Sequence, residues 1–342
     1  MKALYFAGER QAAVQEKPTP KAGPGEVVVE MKAAGICGSD LHGYRHPRPD
    51  VVEMKRVPGH EPCGVVAEVG PGVVGWKVGD RVAVWFRLTC GECYYCRSGR
   101  ANVCTNRRGS YGVGPGTADG AHAEYMQVEA QYLMPLPEDF SFEDGAIVSC
   151  QGGTAYYPLT RLGVSGRDVL VVSGLGPVGL LATLFATHMG AEVVGVDPSP
   201  ERRAIAATMG AVRTFDPAAG KLGEQLRAYY PDGADKLVEA SGANAAHAVI
   251  GDLLKPLGMA AIVGLGSQKF EMPLQALTMR ELIVFGTSIF PDVQYDEIWT
   301  FLRRHGLRPS QVITNRFPIE QGPEAYKLAD TATAGKVGFV FD

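Results

Sequence analysis

The run Val169-Leu-Val-Val172-Ser173-Gly174-Leu175-Gly176-Pro177-Val178-Gly179, continued by Leu180-Leu-Ala-Thr-Leu-Phe-Ala-Thr-His188, decides the fold. Residues 169–172 form an unbroken apolar stretch suited to a parallel strand buried on both faces. Three glycines follow at once, and an apolar helix then runs to about Gly190. A second strand, 192–196, ends at Asp197. Gly-x-Gly-x-x-Gly is common by itself. Between a strand and a helix, with an acidic residue closing the next strand, it reads as a dinucleotide-binding turn. Gly174 and Gly176 permit the tight turn and close backbone approach to a pyrophosphate, and Gly179 lets the helix pack closely. The helix N-terminus, opened by Pro177 and Val178, supplies partial positive charge. Asp197 then holds the adenosine ribose hydroxyls, which favours NAD over a cofactor with a 2′-phosphate. Arg202 follows on the next helix, along the adenosine face.

Working outward, the alternation continues through strands at 212–215, 236–239, 260–264 and 283–286, with helical stretches at 220–230 and 244–255 between them. These complete the six strands of a doubly wound α/β sheet over residues 151–287. The first 150 residues read differently. Short β-prone runs at 3–6, 27–33, 64–69, 81–86 and 123–128 are bounded by Gly, Pro or Asp, and they predict an irregular β-rich domain whose loops carry the chemistry. Residues 105–120 are polar and glycine-rich without periodicity, which reads as a surface loop, part of it bordering a site entrance. The last segment, 288–342, holds a helix-like stretch at 295–304 and a terminal strand at 337–341.

Chemistry is concentrated in the cysteines. Cys90-Gly-Glu-Cys93-Tyr-Tyr-Cys96, followed by Cys104, places four thiols so that they can close a tetrahedron around one zinc, with no position left for substrate. A four-cysteine iron–sulfur site would want an electron-transfer context that the chain lacks. We therefore read 90–104 as a structural zinc lobe. Cys37, His60 and Cys150 form a second set, one His and two Cys, suited to a zinc with an open fourth position. The competing reading of His60 is a buried, hydrogen-bonded histidine at a strand end. Cys63 reads as a small packed residue.

Gly59-His60-Glu61-x-x-Gly64-x5-Gly70-x-x-Val73, together with Cys37 before Ser39-Asp40-Leu41-His42 and Cys150 ahead of Gly174, resembles the zinc-dependent medium-chain alcohol and polyol dehydrogenases along essentially the whole chain. The resemblance implies a GroES-like catalytic domain completed by residues 288–342, and hydride exchange between an alcohol or carbonyl and a nicotinamide. It implies two zinc ions per chain, at the two sets above. It also implies that Ser39 takes the hydroxyl proton and relays it toward His42, that Asp40 fixes the tautomer of His60, and that Glu61 approaches the metal transiently or forms a salt bridge. Phe86 falls where the family places a pocket-lining aromatic. Polyol dehydrogenases usually offer a carboxylate as third ligand where this chain has Cys150, and a register slip would present Gln151 instead.

Composition bounds the rest. The chain has 342 residues, 46% of them apolar, and a net charge of −4, so nucleic acid and anionic membranes are poor partners. No signal-peptide core opens it, and seven cysteines without a disulfide framework suit a cytoplasmic protein. A homo-oligomer, dimer or tetramer, is the family expectation. The polar neighbours of Phe86, above all Arg87 and residues 106–110, point to a polyol, sugar or cyclitol substrate. Simple alcohols and threonine-type amino alcohols are the alternative, followed by a zinc-free quinone reductase-like or non-catalytic cofactor-binding relative.

Overall fold

Strand Glu26–Gly35 organises the first part of the computed structural model, which describes residues 1–342 except Pro115, Ser267 and Gln268. Its Val27, Val28, Val29 and Met31 are buried, and it pairs antiparallel with Pro62–Val69, Tyr125–Glu129 and Lys336–Val340. Antiparallel pairing puts the end of one strand beside the start of its neighbours. The register Ala34↔Pro62 and Gly338↔Gly35 therefore brings Cys37, His60 and Lys336 to one end of the sheet. Gly35 N donates to Glu61 O at 3.3 Å, and Ile36 N to Val337 O at 3.1 Å. This β-rich unit comprises residues 1–151 and 291–342.

The other unit, residues 152–290, is an all-parallel six-stranded sheet. Its order is Arg213–Phe215, Glu192–Val196, Val169–Ser173, Ala234–Glu239, Leu254–Ile262, Ile283–Gly286, the doubly wound arrangement with the first strand inside. Val171, Val194, Leu237 and Ala260 are each 0% exposed at its centre, as strands covered on both faces require. Among the described residues no helix is long and apolar enough to cross a membrane.

Two expectations need correction. Residues 105–120 are not wholly an irregular loop: Gly109–Tyr111 and Thr117–Ala118 are short strands, and the first is buried. Runs this short leave no readable period, and Gly109, at φ 140°, is needed because a Cβ there would lie 2.1 Å from Gly116 O. Helix 244–255 breaks into Asn244–Ala248 and Ile250–Leu253, and a strand already begins at Leu254. Pro256 drives Lys255 toward extended backbone and so ends the helix early.

Candidate active site

Helix Gly38–Arg45 starts at Cys37, which serves as its N-cap, and the Asp40 carboxylate bridges two functions there. One oxygen accepts from Cys37 N at 2.8 Å and the other meets His60 Nδ1 at 2.9 Å. With Nδ1 so occupied, His60 turns Nε2 toward the thiols, and Ser39 Oγ lies 3.3 Å from it. Cys150 lies in the turn that follows helix Phe142–Ile147. That helix is held at its start by a Ser141–Asp144 capping box and runs into the π-turn Val148–Gly152. The wide turn delivers Cys150 Sγ to the cluster. Donor atoms of Cys37, His60, Glu61 and Cys150 all lie within 4.8 Å of one another, a set able to hold a metal ion.

The cluster's own groups share their protons unevenly. A hydrogen bond with Cys150, working against burial, brings the Cys37 thiol well below its usual range, and the same bond with burial pushes Cys150 up. Burial works to lower His60, but Asp40 and Cys37 outweigh it and raise the imidazole. A bound cation would displace these protons. Glu61 is completely buried, and its pKa is pushed up by burial while the Lys336 ammonium pulls against that. Lys336 Nζ donates to one Glu61 oxygen and, at 2.8 Å, to Ile36 O. The other oxygen, Oε1, has no hydrogen-bond partner among the described residues. Phe86 packs its ring 4.7 Å from that of His60, and Arg87 is drawn partly out of water beside it. Burial lowers Arg87 to about 10, with Arg107 adding repulsion. Cys63 is wholly buried against Gly145, where a Cβ would lie 2.3 Å from its sulfur. Ser39 and His42 are exposed, with the His42 ring 5.8 Å from that of His46.

In the lobe, Sγ separations are 3.5 Å (Cys93–Cys96), 3.6 Å (Cys90–Cys104), 3.9 Å (Cys93–Cys104) and 4.0 Å (Cys90–Cys96). Zinc–sulfur bonds of about 2.3 Å put tetrahedral sulfurs about 3.8 Å apart, so the thiols fit zinc closely. The lobe connects Arg87–Leu88 to Gly109–Tyr111, which pair antiparallel.

At the glycine turn, a Cβ on Gly174 would lie 2.5 Å from Ser241 N, and one on Gly179 1.8 Å from Gly174 O, so these two glycines serve the protein's own packing. At Gly176 a Cβ meets nothing nearer than the Arg202 guanidinium at 3.9 Å. The space beside Gly176, at the start of helix Pro177–His188, suits a pyrophosphate. Pro177 and Val178 form the first turn of that helix. Asp197 is buried, one oxygen accepting from Leu175 N at 2.7 Å and the other from Ser199 N at 2.9 Å, which leaves further lone pairs for a ligand. Arg202 is largely buried, and its pKa is lowered by that burial against the pull of Asp197. Arg203 ties to the backbone oxygens of Asp197 and Pro198.

The sequence matches the family profiles "Alcohol dehydrogenase GroES-like domain" over residues 23–138 and "Zinc-binding dehydrogenase" over residues 177–304. The chain belongs to the medium-chain dehydrogenase/reductase family. It is 34% identical to the uncharacterized zinc-type alcohol dehydrogenase-like protein YphC of Escherichia coli K12, over 98% of both chains. It is 33% identical to L-threonine 3-dehydrogenase of Stenotrophomonas maltophilia, again over 98% of each. Among solved structures, alcohol dehydrogenase TADH from Thermus sp. ATN1 superposes with a TM-score of 0.92 at 32% identity, covering 99% of both chains. This member is thus a zinc-type alcohol dehydrogenase, an oxidoreductase with a GroES-like domain and a Rossmann sheet.

Sequence reasoning missed Lys336, His122 and Tyr326. His122 is fully buried, its Nε2 3.1 Å from Gly35 O and its Nδ1 3.0 Å from Tyr326 Oη. A lysine opening a buried strand in Gly335-Lys336-Val337 was the one available signal, since lysines are almost never fully buried unless paired.

Proposed function

We propose that this dehydrogenase oxidises a polar secondary alcohol of the polyol, sugar or cyclitol type with NAD, using one zinc at Cys37, His60 and Cys150 and a second at the four-cysteine lobe. The observation that carries the reading is the convergence of those three donors, with Ser39 Oγ 3.3 Å from His60 Nε2. When bound, zinc supplies Lewis acidity toward a substrate oxygen and the nicotinamide supplies a hydride acceptor. Ser39 accepts the hydroxyl proton, and exposed His42 on the same helix hands it to water. Asp40 holds the His60 ring in the tautomer that keeps Nε2 free. Glu61, with Oε1 unengaged, is able to approach the metal. Gly174, Gly176 and Gly179 shape the pyrophosphate turn, Arg202 lies beside it, and Asp197 takes the ribose hydroxyls and repels a 2′-phosphate. A cytoplasmic homo-oligomer is in keeping with the family and with seven cysteines outside any disulfide.

The polar substrate rests on Arg87, half-withdrawn from water beside Phe86, which offers donors to a second substrate oxygen. Threonine, named for one relative, is itself a secondary alcohol with a polar group on the next carbon. A simple alcohol or amino alcohol is the second reading, favoured by a cysteine at position 150. Steady-state kinetics with NAD and its phosphorylated form, on 2,3-butanediol, sorbitol, inositol, threonine, 2-butanol and ethanol, decide between them. We expect NAD to be preferred, and polyols to exceed 2-butanol by 10²-fold or more, on the order of what unpaired buried donors cost a substrate lacking the matching group. Ethanol or 2-butanol matching every polyol, or an Arg87→Ala enzyme of unaltered selectivity, sinks the polar-pocket reading.

A further inference from the structure

A buried polar assembly distinct from the two cysteine clusters lies at the carboxyl end of strand Ala234–Glu239. Glu239 is 0% exposed, and among the described residues it has no lysine or arginine partner. Backbone and side-chain donors surround it instead. Oε1 accepts from Ser241 N at 2.9 Å, from Gly242 N at 3.0 Å and from the Ser241 hydroxyl, while Oε2 accepts from Gly242 N at 3.0 Å and faces His247 Nε2 at 3.3 Å. A carboxylate stripped of water is expensive unless several donors replace that water. The chain spends two backbone amides, a hydroxyl and a buried imidazole on keeping this one.

What the carboxylate fixes is the turn Ser241-Gly242, and that turn is one wall of the glycine-lined crevice. A Cβ on Gly174 would meet Ser241 N at 2.5 Å, one on Gly242 would meet Gly266 N at 2.1 Å, and one on Gly264 would meet Gly242 N at 2.2 Å and Glu239 Oε2 at 2.9 Å. Backbone from three neighbouring strand ends is therefore in direct contact, with Ala240 N donating to Ser173 O at 2.8 Å and Gly264 N to Glu239 O at 3.0 Å. In an open parallel sheet, ligands bind in the crevice outside these carboxyl ends. The position of Ser241-Gly242 sets how far Gly174 and the turn it begins can shift. His247 completes the lock from helix Asn244–Ala248. It is 3% exposed, and its Nδ1 has no partner among the described residues, so Glu239 is the hydrogen-bond partner that orients the ring.

We propose that Glu239, clamped by His247, is a positioning residue for the dinucleotide: it holds the Ser241-Gly242 turn so that the Gly174–Gly179 turn is preformed for the cofactor. The inference rests on the reading that residues 152–290 bind NAD. Glu239 does not touch the reacting atoms. Its loss frees the turn, and the cofactor must then order it on binding.

The test is direct NADH binding, by fluorescence of the reduced nicotinamide, to the full-length zinc-loaded enzyme and to Glu239→Gln, His247→Leu and His247→Gln. In Glu239→Gln an NH2 replaces one acceptor oxygen and opposes the Gly242 amide. Misplacement of a binding wall by about 1 Å can cost on the order of 10²-fold, so we expect Kd to rise about 10- to 100-fold. His247→Leu removes the donor to Oε2 and follows in the same direction, while His247→Gln keeps an N–H donor and restores most of the affinity. KM for NAD rises in step with KM for alcohol unchanged, and zinc content stays that of the wild type. A residue that merely stabilised the sheet would lower the melting temperature and leave Kd of the folded protein alone. Wild-type Kd in His247→Leu, whether or not Glu239→Gln folds, overturns the proposal. Failure of the unaltered enzyme to bind NADH refutes the cofactor reading instead.

Discussion

Between Cys90 and Cys104 the four thiols of the lobe meet within one short loop, whereas Cys37, His60 and Cys150 come from two strand ends and a helix-terminal turn far apart in the chain. The lobe sulfurs are partly exposed and lean on each other; the second cluster is backed by Asp40, Glu61, Lys336 and the sheet beneath. A local cluster gains its order from the metal it closes around. A cluster assembled by long-range pairing inherits its order from the sheet, and metal adds function to a frame that already stands. The two sites should therefore fail in opposite ways.

The largest expected effect separates them directly. Cys150→Ser should lose one zinc and reduce turnover by about 10³-fold, since several kcal/mol of Lewis-acid stabilisation is withdrawn and each 1.36 kcal/mol is a factor of ten. Its melting temperature should move little. Cys93→Ser should lose the other zinc and several degrees of melting temperature, while the folded fraction keeps its turnover. Metal analysis, calorimetry and active-site-normalised kinetics on the pair read out all three quantities. A Cys93→Ser enzyme with unchanged melting and a selective loss of turnover would reverse the comparison.

Smaller in activity but larger in stability is the effect expected at Lys336. Its ammonium is fully enclosed between the Glu61 carboxylate and Ile36 O, and Gly35 has no side chain because a Cβ there would strike both members of the pair. Removing one partner of a buried pair costs about 3–5 kcal/mol. Lys336→Met should lower stability by that amount, and Glu61→Gln added to it should restore part, since the uncompensated carboxyl is what hurts. Denaturant melts of the two single variants and the double variant give the coupling. Strictly additive losses would mean that the two groups do not support each other and that the sheet alone holds the cluster.

The same contrast explains what could be read from the chain. The lobe cysteines and the glycine turn are local patterns, so spacing alone singled them out, and the six parallel strands were legible from unbroken apolar runs such as 169–172. Residues 109–111 were missed because three residues leave no periodicity to read, and the break at Leu254 was overridden by the helical look of 244–255. Lys336, His122 and Glu239 escaped for a different reason. Their roles depend on which strand ends become neighbours, Gly338 beside Gly35 or Gly264 beside Gly242, and no local pattern encodes that register.

The smallest effect tests the frame of the buried cluster by acid. Asp330 is largely shielded by Arg45, which donates from Nε at 2.5 Å, and by Arg10 at 3.0 Å; Arg45 closes the helix that begins at Cys37. Burial works to raise the Asp330 carboxyl, but the bonds from Arg45 and Arg10 outweigh it and the net shift is downward. A carboxylate whose folded pKa lies below its unfolded value of about 3.9 contributes stability in full above that value, and loses it as pH falls through the folded pKa. Partly exposed pairs of this kind are worth about 1 kcal/mol or less. Asp330→Asn should therefore lower the melting temperature by a few degrees at most at pH 7, and the difference from the unaltered protein should shrink steadily below about pH 4. Taking the difference between the two proteins removes whatever acid does to both alike. A gap that widens on acidification would assign the opposite sign to Asp330 and remove it from the support of the Cys37 helix.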